Sequence, residues 1–468
     1  MDTNWNFENS YLTLPKIFYS NTKPENFKNL KVILKNENLL SVLNIEENKF
    51  ENLLINSINN KNINYFSQAY AGHQFGHFTI LGDGRATFLG EHINKKNERF
   101  DIQLKGSGKT PYSRNGDGKG TLKSMLREYI ISEAMHNLNI STTRSLAILK
   151  TGEKIFRTSF EEGGILVRVA KSHIRVGTFQ LASLSKEKKD VEDLLEYSIK
   201  RLYPEISKNN DKYLKFFTKI AESQINLIVE WQRIGFIHGV MNTDNMSISG
   251  ETLDYGPCAF MDEYNPNKKF SSIDHNGRYT FNNQPRIALW NLARLAETIL
   301  HLIDENQEKA IKKIEKILKL YEKKYHELWM SMMRDKININ NFNGNDEKLI
   351  KELLDLMNVF KLDYTNTFVD IENNVIQKHD FMKEWYEKLK ERRKLNINKK
   401  YLKKNINPKI IPRNHIVEKI LNESEKNNFS NLYKLLKNLN NPYTNNIHSD
   451  FTRMPSNEEK IHETFCGT

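Results

Sequence analysis

The stretch HGVMNTDNMSISGETLDYGP, from His238 to Pro257, decides how the rest of the chain is interpreted. It places Asp244, Asn245 and Asp254 within one short segment that is rich in glycine. Glycine allows sharp turns, so the segment is predicted to be a loop. Carboxylate and amide oxygens in such a loop suit a hard divalent cation that bridges phosphates. A single aspartate would more often cap a turn, but the cluster favours a binding site.

The residues that flank this loop predict its structural setting. The apolar periodicity of YLKFFTKIAESQINLIVEWQRIGF indicates a helix that ends at Gly235. Short apolar and β-branched residues between 248 and 253 predict a small hairpin that carries Asp254 at its end. Met246 stands where a calcium-binding EF-hand needs a ligand, which excludes that motif.

Length and composition indicate a large protein with at least two structural parts. The chain has 468 residues, of which 38% are hydrophobic, and no apolar run reaches the roughly 18–20 residues of a membrane span. The N-terminus has neither the apolar region of a signal peptide nor the arginines of a transit peptide. We therefore expect a cytoplasmic protein without membrane association.

The formal charge of +12 is compatible with binding of nucleic acid or phosphate. Much of the excess lies in Lys- and Asn-rich stretches such as NINKKYLKKNINPK, which are typical of a solvated helix face. No pattern of stacking aromatic residues accompanies it, so no nucleic-acid partner is expected. The two cysteines, Cys258 and Cys466, exclude a disulfide framework and a cysteine-based zinc site.

The predicted elements divide the chain into four parts. Residues 1–64 are expected to be an irregular N-terminal extension with one or two helices, and residues 65–182 a β-rich nucleotide-binding lobe. Residues 183–400 are predicted to form a helical lobe, and residues 401–468 a C-terminal helical extension and tail. The helical lobe should contain helices near 187–202, 211–234, 286–303, 306–333, 345–359 and 376–393. The fold class is therefore α+β, with the two lobes of a protein-kinase-like fold.

Within the β-rich lobe, FTIL, ATFLGEHI, FDIQLKG, SLAILKTGE and GGILVRVAKS are predicted strands. The GDG between the first two fits a tight hairpin turn. The segment TLKSMLREYIISEAMHNLNI follows the third strand as an amphipathic helix, with Thr121 as its N-cap.

A lysine at the end of a strand is the next candidate for phosphate binding. The neighbouring GSGKT resembles part of a P-loop, but Gln103 stands where that motif needs its first glycine. Lys105 ends the strand FDIQL, and Glu128 lies on the following helix, so the two side chains could form an ion pair. Protein kinases orient nucleotide phosphates with a pair of this kind.

With the acidic loop included, the candidate residues follow one another along the chain in the same order as in a kinase active site, with one departure. In kinases the catalytic aspartate lies two residues after a histidine and five before an asparagine. His238 and Asn245 have that separation, but Val240 occupies the aspartate position. The nearest carboxylate belongs to Asp244, which implies a different alignment of nucleotide and acceptor.

A series of long motifs extends this comparison, namely YAGHQFGHF, LGDGRA, QLKGSGKTPYSRNGDGKG, VRVAKSHIRVGTFQ, GFIHGVMNTDNMSI and DYGPCAFMD. They resemble the selenoprotein O family of kinase-like protein adenylyltransferases, strongly over residues 65–300 and weakly in NPYT and the terminal FCGT. The resemblance implies transfer of AMP from ATP to Ser, Thr or Tyr hydroxyls of proteins, with release of pyrophosphate. In that family ATP lies reversed relative to kinases, which agrees with Val240.

The resemblance also implies a role for each site residue. Lys105 would bind phosphates and be held by Glu128, and Asp244 would accept the proton of the attacking hydroxyl. Asn245 and Asp254 would hold Mg²⁺ or Mn²⁺. Positions that contact the nucleotide are Gly82, Gly84, Arg85, Asp117 and Gly118, and those that bind the distal phosphates are Arg168 and Arg175.

The positions of the two cysteines within this resemblance lead to a redox hypothesis. Cys466 takes the place of the selenocysteine of eukaryotic relatives, and Cys258 follows the DYGP motif. Several bacterial relatives instead have a cysteine near Phe270. One hypothesis is that oxidation joins Cys258 to Cys466, and the alternative is that Cys258 packs as a small apolar residue.

Two other functions stay open at this point. A conventional kinase-fold phosphotransferase is disfavoured by Val240. A non-catalytic pseudokinase scaffold is disfavoured by the intact set of Lys105, Asp244, Asn245 and Asp254, because a scaffold does not need metal ligands. The sequence names neither the protein substrates nor the preferred metal.

Overall fold

The computed structural model describes residues 5–60, 62–376, 379–397, 403–445 and 447–465. An antiparallel sheet dominates the first part of the chain, and helices dominate the remainder. The predicted α+β fold with two kinase-like lobes is confirmed.

The main sheet is built from strands of both the expected extension and the expected β-rich lobe. In the described residues it contains β1 (Phe7–Glu8), β2 (Tyr19–Asn21), β3 (Lys31–Lys35), β4 (Phe66–Gln74), β5 (His77–Gly82), β6 (Ala86–Ile93), β7 (Arg99–Lys105), β8 (Gly120–Thr121), β9 (Arg144–Phe156) and β10 (Phe160–Ala170). Its order is β2-β4-β6-β7-β10-β9-β3, with β1 on β6, β5 on β4 and β8 on β10. A second ladder pairs β11 (Phe236–Ile237) with β12 (Ala259–Phe260).

The helices cover the sheet and build the second lobe. Those described are α1 (Glu37–Leu43), α2 (Glu47–Asn59), α3 (Leu122–Asn137), α4 (Val176–Ala182), α5 (Lys189–Leu202), α6 (Lys212–Ile234), α7 (Gln284–Ile303), α8 (Gln307–Lys336), α9 (Asp346–Val359), α10 (Tyr364–Glu372), α11 (Lys383–Lys394), α12 (Asn414–Glu425) and α13 (Ser430–Leu439). The expected helices correspond to α5–α9 and α11, whereas α4 and α10 were not predicted. The four-part division of the chain stays a proposal. Strands β1–β3 of residues 1–64 join the main sheet, so this segment packs with the β-rich lobe.

The predicted hairpin across the GDG turn is wrong. Strand β5 pairs with β4, from Gln74 opposite His77 to Ala69 opposite Gly82, while β6 pairs mainly with β7. The carboxylate of Asp83 is buried and accepts the backbone N–H of Gln68, so the turn is fixed against β4.

The loop that carries the acidic residues is fixed to the end of α6. Gly235 ends this helix in the left-handed conformation, with φ of 71°, as predicted. Trp231 donates its indole N–H to Thr252 across 3.0 Å, which joins the helix to the loop. The expected hairpin between 248 and 253 is reduced to one antiparallel bridge between Met246 and Thr252, because Gly250 turns the chain with φ of 73°.

The short helix α4 joins the two lobes and packs tightly on β4. The largest apolar cluster in the described chain includes Phe66 of β4, Phe179 of α4 and Phe216 of α6. At Gly177 a Cβ atom would overlap the carbonyl oxygen of Ala71 on β4. Glycine is therefore required by the close approach of two backbones.

We expect Gly177→Ala to lower the free energy of unfolding by about 1–3 kcal/mol, because two backbone segments must separate to admit one methyl group. This clash outweighs the roughly 1 kcal/mol by which alanine favours a helix interior over glycine. Gly344→Ala is the matched control, since a Cβ there would meet nothing within 4 Å. Chemical denaturation of both variants provides the measurement. Equal stabilities of the two variants would contradict the proposed packing.

Candidate active site

One cavity of about 560 Å³ lies between the sheet and the helical lobe. It brings together every residue predicted to bind the nucleotide or metal or to act as the base. These lining residues are Gly82, Gly84, Arg85, Lys105, Asp117, Gly118, Arg168, Arg175, Asp244, Asn245 and Asp254. Glu128 does not line the cavity and lies behind Lys105. The individual roles of these residues stay predictions.

The carboxylate of Asp254 is the centre of the charged network. It accepts hydrogen bonds from Lys105 at 2.8 Å, Arg168 at 2.6 Å and Arg175 at 2.7 Å. Burial would raise the pKa of Asp254, but these three cations outweigh burial and hold that pKa well below its usual range. Asp254 has a φ of 64°, a conformation that non-glycine residues adopt only where the surroundings enforce it.

The predicted ion pair between β7 and α3 forms. Lys105 Nζ donates to Glu128 Oε2 at 2.6 Å, and both side chains are almost fully buried. The helix that carries Glu128 starts at the predicted N-cap, where Thr121 accepts the backbone N–H of Ser124. Glu128 also pairs with Arg168 at 3.3 Å, so it positions two of the three cations around Asp254.

Asp244 differs from Asp254 in its surroundings. Its side chain is buried, and its Oδ1 atom has no hydrogen-bond partner among the described residues. Burial raises the pKa of Asp244 to about 6, and the nearby charge of Arg175 opposes this shift only in part. A buried carboxylate with one unpartnered oxygen and a raised pKa suits the acceptance of a proton.

Asn245 lies beside Asp244 on a short 3₁₀ turn, Thr243–Asn245. Its amide nitrogen donates to the carbonyl oxygen of Val240 at 3.1 Å, which leaves the amide oxygen as the atom suited to a metal. The described residues contain no group of three or more His, Cys, Asp and Glu side chains that could hold a metal ion.

Comparison with known proteins identifies the family. The family model for protein adenylyltransferase SelO matches residues 2–440. The chain belongs to this family. A protein of Clostridium perfringens strain ATCC 13124, named protein nucleotidyltransferase YdiU, is 48% identical and covers 100% of this chain and 98% of its own length. Proteins of the same name from Pelagibacter ubique and Brevibacillus brevis are 45% and 47% identical, over 100% of this chain and 100% and 99% of their own lengths.

Several residues of this adenylyltransferase site were not predicted from the sequence. Tyr70 places its ring 4.5 Å from the Arg175 guanidinium, and Gln103 accepts a hydrogen bond from Arg168 at 3.1 Å. Gln103 lies two positions before Lys105 on β7. Side chains two positions apart in a strand face the same side of the sheet, so this period could have indicated that both face the same side. Arg157 forms two hydrogen bonds with Asp117, at 2.9 and 3.0 Å, but no local pattern connects these residues.

Arg127 joins three separate parts of the chain and was also missed. It precedes Glu128 on α3, donates to Glu418 of α12 at 2.9 Å, and donates to the carbonyl oxygen of Cys258 at 2.8 Å. The position of Glu128 is thereby coupled to the C-terminal helices and to the segment that follows Asp254.

The redox hypothesis stays a prediction, because Cys466 lies outside the described residues. Cys258 is fully buried, as expected for a small apolar side chain. The part of the tail just before Cys466 lies nearby, since the Thr464 hydroxyl donates to the carbonyl oxygen of Pro257 at 2.6 Å. The backbone N–H of Thr464 donates to the carbonyl oxygen of Phe270 at 2.7 Å.

We expect Lys105→Met and Glu128→Gln each to reduce nucleotide transfer strongly, and the double variant to lose far less than the product of the two single losses. Glu128 acts mainly through the lysine, and once the lysine is absent only its 3.3 Å contact with Arg168 remains to be lost. The measurement is incorporation of label from ATP labelled at the α-phosphate. The exposed pair Lys388–Glu352, 3.1 Å apart, provides control substitutions of the same kind that should change nothing. Multiplicative losses in the double variant would mean that the two residues act independently.

Proposed function

We propose that this protein transfers AMP from ATP to the hydroxyl groups of Ser, Thr or Tyr side chains of proteins and releases pyrophosphate. Membership of the protein adenylyltransferase family supports AMP transfer. The observation that carries the proposal is a single cavity carboxylate suited to accept the proton of the attacking hydroxyl.

Comparison of the four aspartates that line the cavity supports Asp244 as that carboxylate. Asp254 is ion-paired to three basic groups, and Asp117 is bound through both oxygens by Arg157. Asp83 accepts hydrogen bonds from the backbone and from a glutamine side chain. Asp244 alone among these four has a buried oxygen without a hydrogen-bond partner in the described chain.

The position of this base supports transfer of AMP over transfer of the γ-phosphoryl group. A protein kinase places its base two residues after the histidine of the catalytic loop, where Val240 stands here. A valine side chain cannot accept a proton. The base would instead be Asp244, four residues further along the chain.

In the proposed reaction the acceptor hydroxyl oxygen attacks the α-phosphorus of ATP. A bond forms between these atoms, the bond from the α-phosphorus to its bridging oxygen breaks, and pyrophosphate leaves. The hydroxyl proton passes to the carboxylate of Asp244. Lys105, Arg168 and Arg175 would stabilise the negative charge that develops on the leaving group, because they are fixed before the reaction begins.

The donor set at Asn245 and Asp254 fits Mg²⁺ or Mn²⁺. Both residues line the same cavity and offer oxygen atoms, which these hard cations prefer. Magnesium is commonly bound by one or two protein oxygens together with substrate phosphates and water, which agrees with the small number of protein ligands here. When held by Asn245 and Asp254, the cation would offset the negative charge of the phosphates.

The expected partners are ATP and protein substrates. The described residues include no helix that is both long and apolar enough to cross a membrane. A cytoplasmic location and the absence of a nucleic-acid partner stay predictions.

Incubation with a divalent cation and ATP labelled on either the α- or the γ-phosphate tests the proposal. We expect α-label on protein and no γ-label, because pyrophosphate carries the γ-phosphate away. Asp254→Ala should abolish transfer and metal-dependent ATP binding, and Asn245→Ala should weaken binding less, because a neutral amide attracts a cation less strongly. Asp380→Ala, at an exposed aspartate outside the cavity, should change neither. Protein-bound γ-label, or wild-type transfer by Asp254→Ala, would contradict the proposal.

We expect Asp244→Asn to reduce the transfer rate by about 10²–10⁴-fold, with little change in the affinity for ATP. A general base acts mainly in the transition state, so its loss affects kcat rather than nucleotide binding. Calorimetric titration with a non-hydrolysable ATP analogue, combined with steady-state rates, separates the two effects. If affinity falls as far as the rate, Asp244 is a ligand of the nucleotide or metal and not the base.

A further inference from the structure

A second cavity, of about 530 Å³, adjoins the active-site cavity. It is lined by the turn between β4 and β5, by residues 273–278 and by the first turns of α7. Phe75 and Ile273 line both cavities, so the two spaces are continuous along these side chains. We call this second cavity the basic groove.

Hydrogen bonds connect the wall of the basic groove to the loop that carries Asp244, the proposed base. Asn242, which precedes Asp244 by two residues, accepts a hydrogen bond from the backbone N–H of Phe75 at 3.0 Å. The same side-chain oxygen accepts the hydroxyl of Tyr279 at 2.6 Å. A molecule in the groove therefore lies against the same rigid unit that holds Asp244.

The charge of the groove is positive. Arg278 and Arg286 line it, and neither forms an ion pair with a carboxylate of the described residues. Asp274 is the only acidic residue in the lining, and it is 1% exposed. Its carboxylate accepts the backbone N–H groups of Arg278 and Tyr279 at 2.8 and 2.9 Å. One carboxylate against two guanidinium groups leaves the lining with an excess of positive charge.

Apolar and aromatic surface lies between these charges. Trp290 lines the groove, with the Arg278 guanidinium 4.7 Å from its ring, and the Nε atom of Arg278 has no hydrogen-bond partner among the described residues. Ile273 is 56% exposed at the junction with the active-site cavity. An extended polypeptide can contact both kinds of surface, whereas a small free anion would use the charges alone.

We propose that the basic groove binds the segment of the protein substrate that carries the acceptor hydroxyl, and that it selects segments with Asp or Glu near that hydroxyl. This inference rests on the proposed AMP transfer to proteins. Arg286 is exposed on the first turn of α7, and Arg278 belongs to the segment 273–278, so the two basic groups of the lining come from different elements.

Two synthetic peptide pools with one central serine test the inference. Flanking positions hold Glu or Gly in the acidic pool and Lys or Gly in the basic pool, and kcat/KM is measured with ATP labelled at the α-phosphate. The wild-type protein should prefer the acidic pool by about two- to five-fold, the size expected of one solvent-exposed ion pair. Arg286→Glu should remove or reverse this preference while ATP affinity is unchanged. This substitution should not impair folding, because a helix N-terminus favours an acidic residue.

Lys316→Glu is the matched control, since it changes the net charge equally at an exposed position of α8 outside both cavities. It should leave the preference intact. Equal use of both pools by the wild type, or the same preference in Arg286→Glu, overturns the inference. So does labelling of intact proteins with no labelling of either peptide pool. If the wild type labels neither peptides nor proteins, the proposed function itself fails, and this outcome is distinguishable from the others.

Discussion

The rest of the site depends on the meeting of three cations at the carboxylate of Asp254. Lys105 and Arg168 come from adjacent strands of the sheet, and Arg175 comes from the N-cap of α4. All three basic side chains are almost fully buried, so they would repel one another without a shared anion. Removal of one partner from a buried ion pair commonly costs about 3–5 kcal/mol. The unusual backbone conformation of Asp254 is stable because this network enforces it.

The same network prepares the cavity for a polyanion. Glu128, Asp254 and Asp83 are the carboxylates paired with the three positive charges of Lys105, Arg168 and Arg175. The three cations attract phosphates, while the ion pairs keep them in place when no phosphate is bound. Binding energy is then not spent on ordering these side chains, which is the basis of electrostatic preorganisation.

Local signals in the sequence were sufficient for the elements that carry the site. Gly235 ends α6 and Thr121 caps α3 as predicted, because both depend on residues within one helical turn. One of the failures involves long-range pairing. Arg127 meets Glu418 across 291 positions of the chain. No periodicity or capping rule can report such a contact, since the fold as a whole decides which surfaces meet. The β5 error is local, because β5 pairs with β4 across the two-residue turn at Phe75 and Gly76 and not with β6 across the GDG turn.

The contact of Arg127 shows why the C-terminal helices bear on the chemistry. Apolar residues of α3, including Leu126 and Ile130, belong to one core cluster with Val417 and Ile420 of α12. Protein kinases control activity through the position of the helix that carries the glutamate of the Lys–Glu pair. Here the equivalent helix is held from its outer face by α12 and α13 and from its inner face by the sheet. Its glutamate reaches Lys105 at 2.6 Å in this arrangement, so packing of the C-terminal helices on α3 contributes to the geometry of the site.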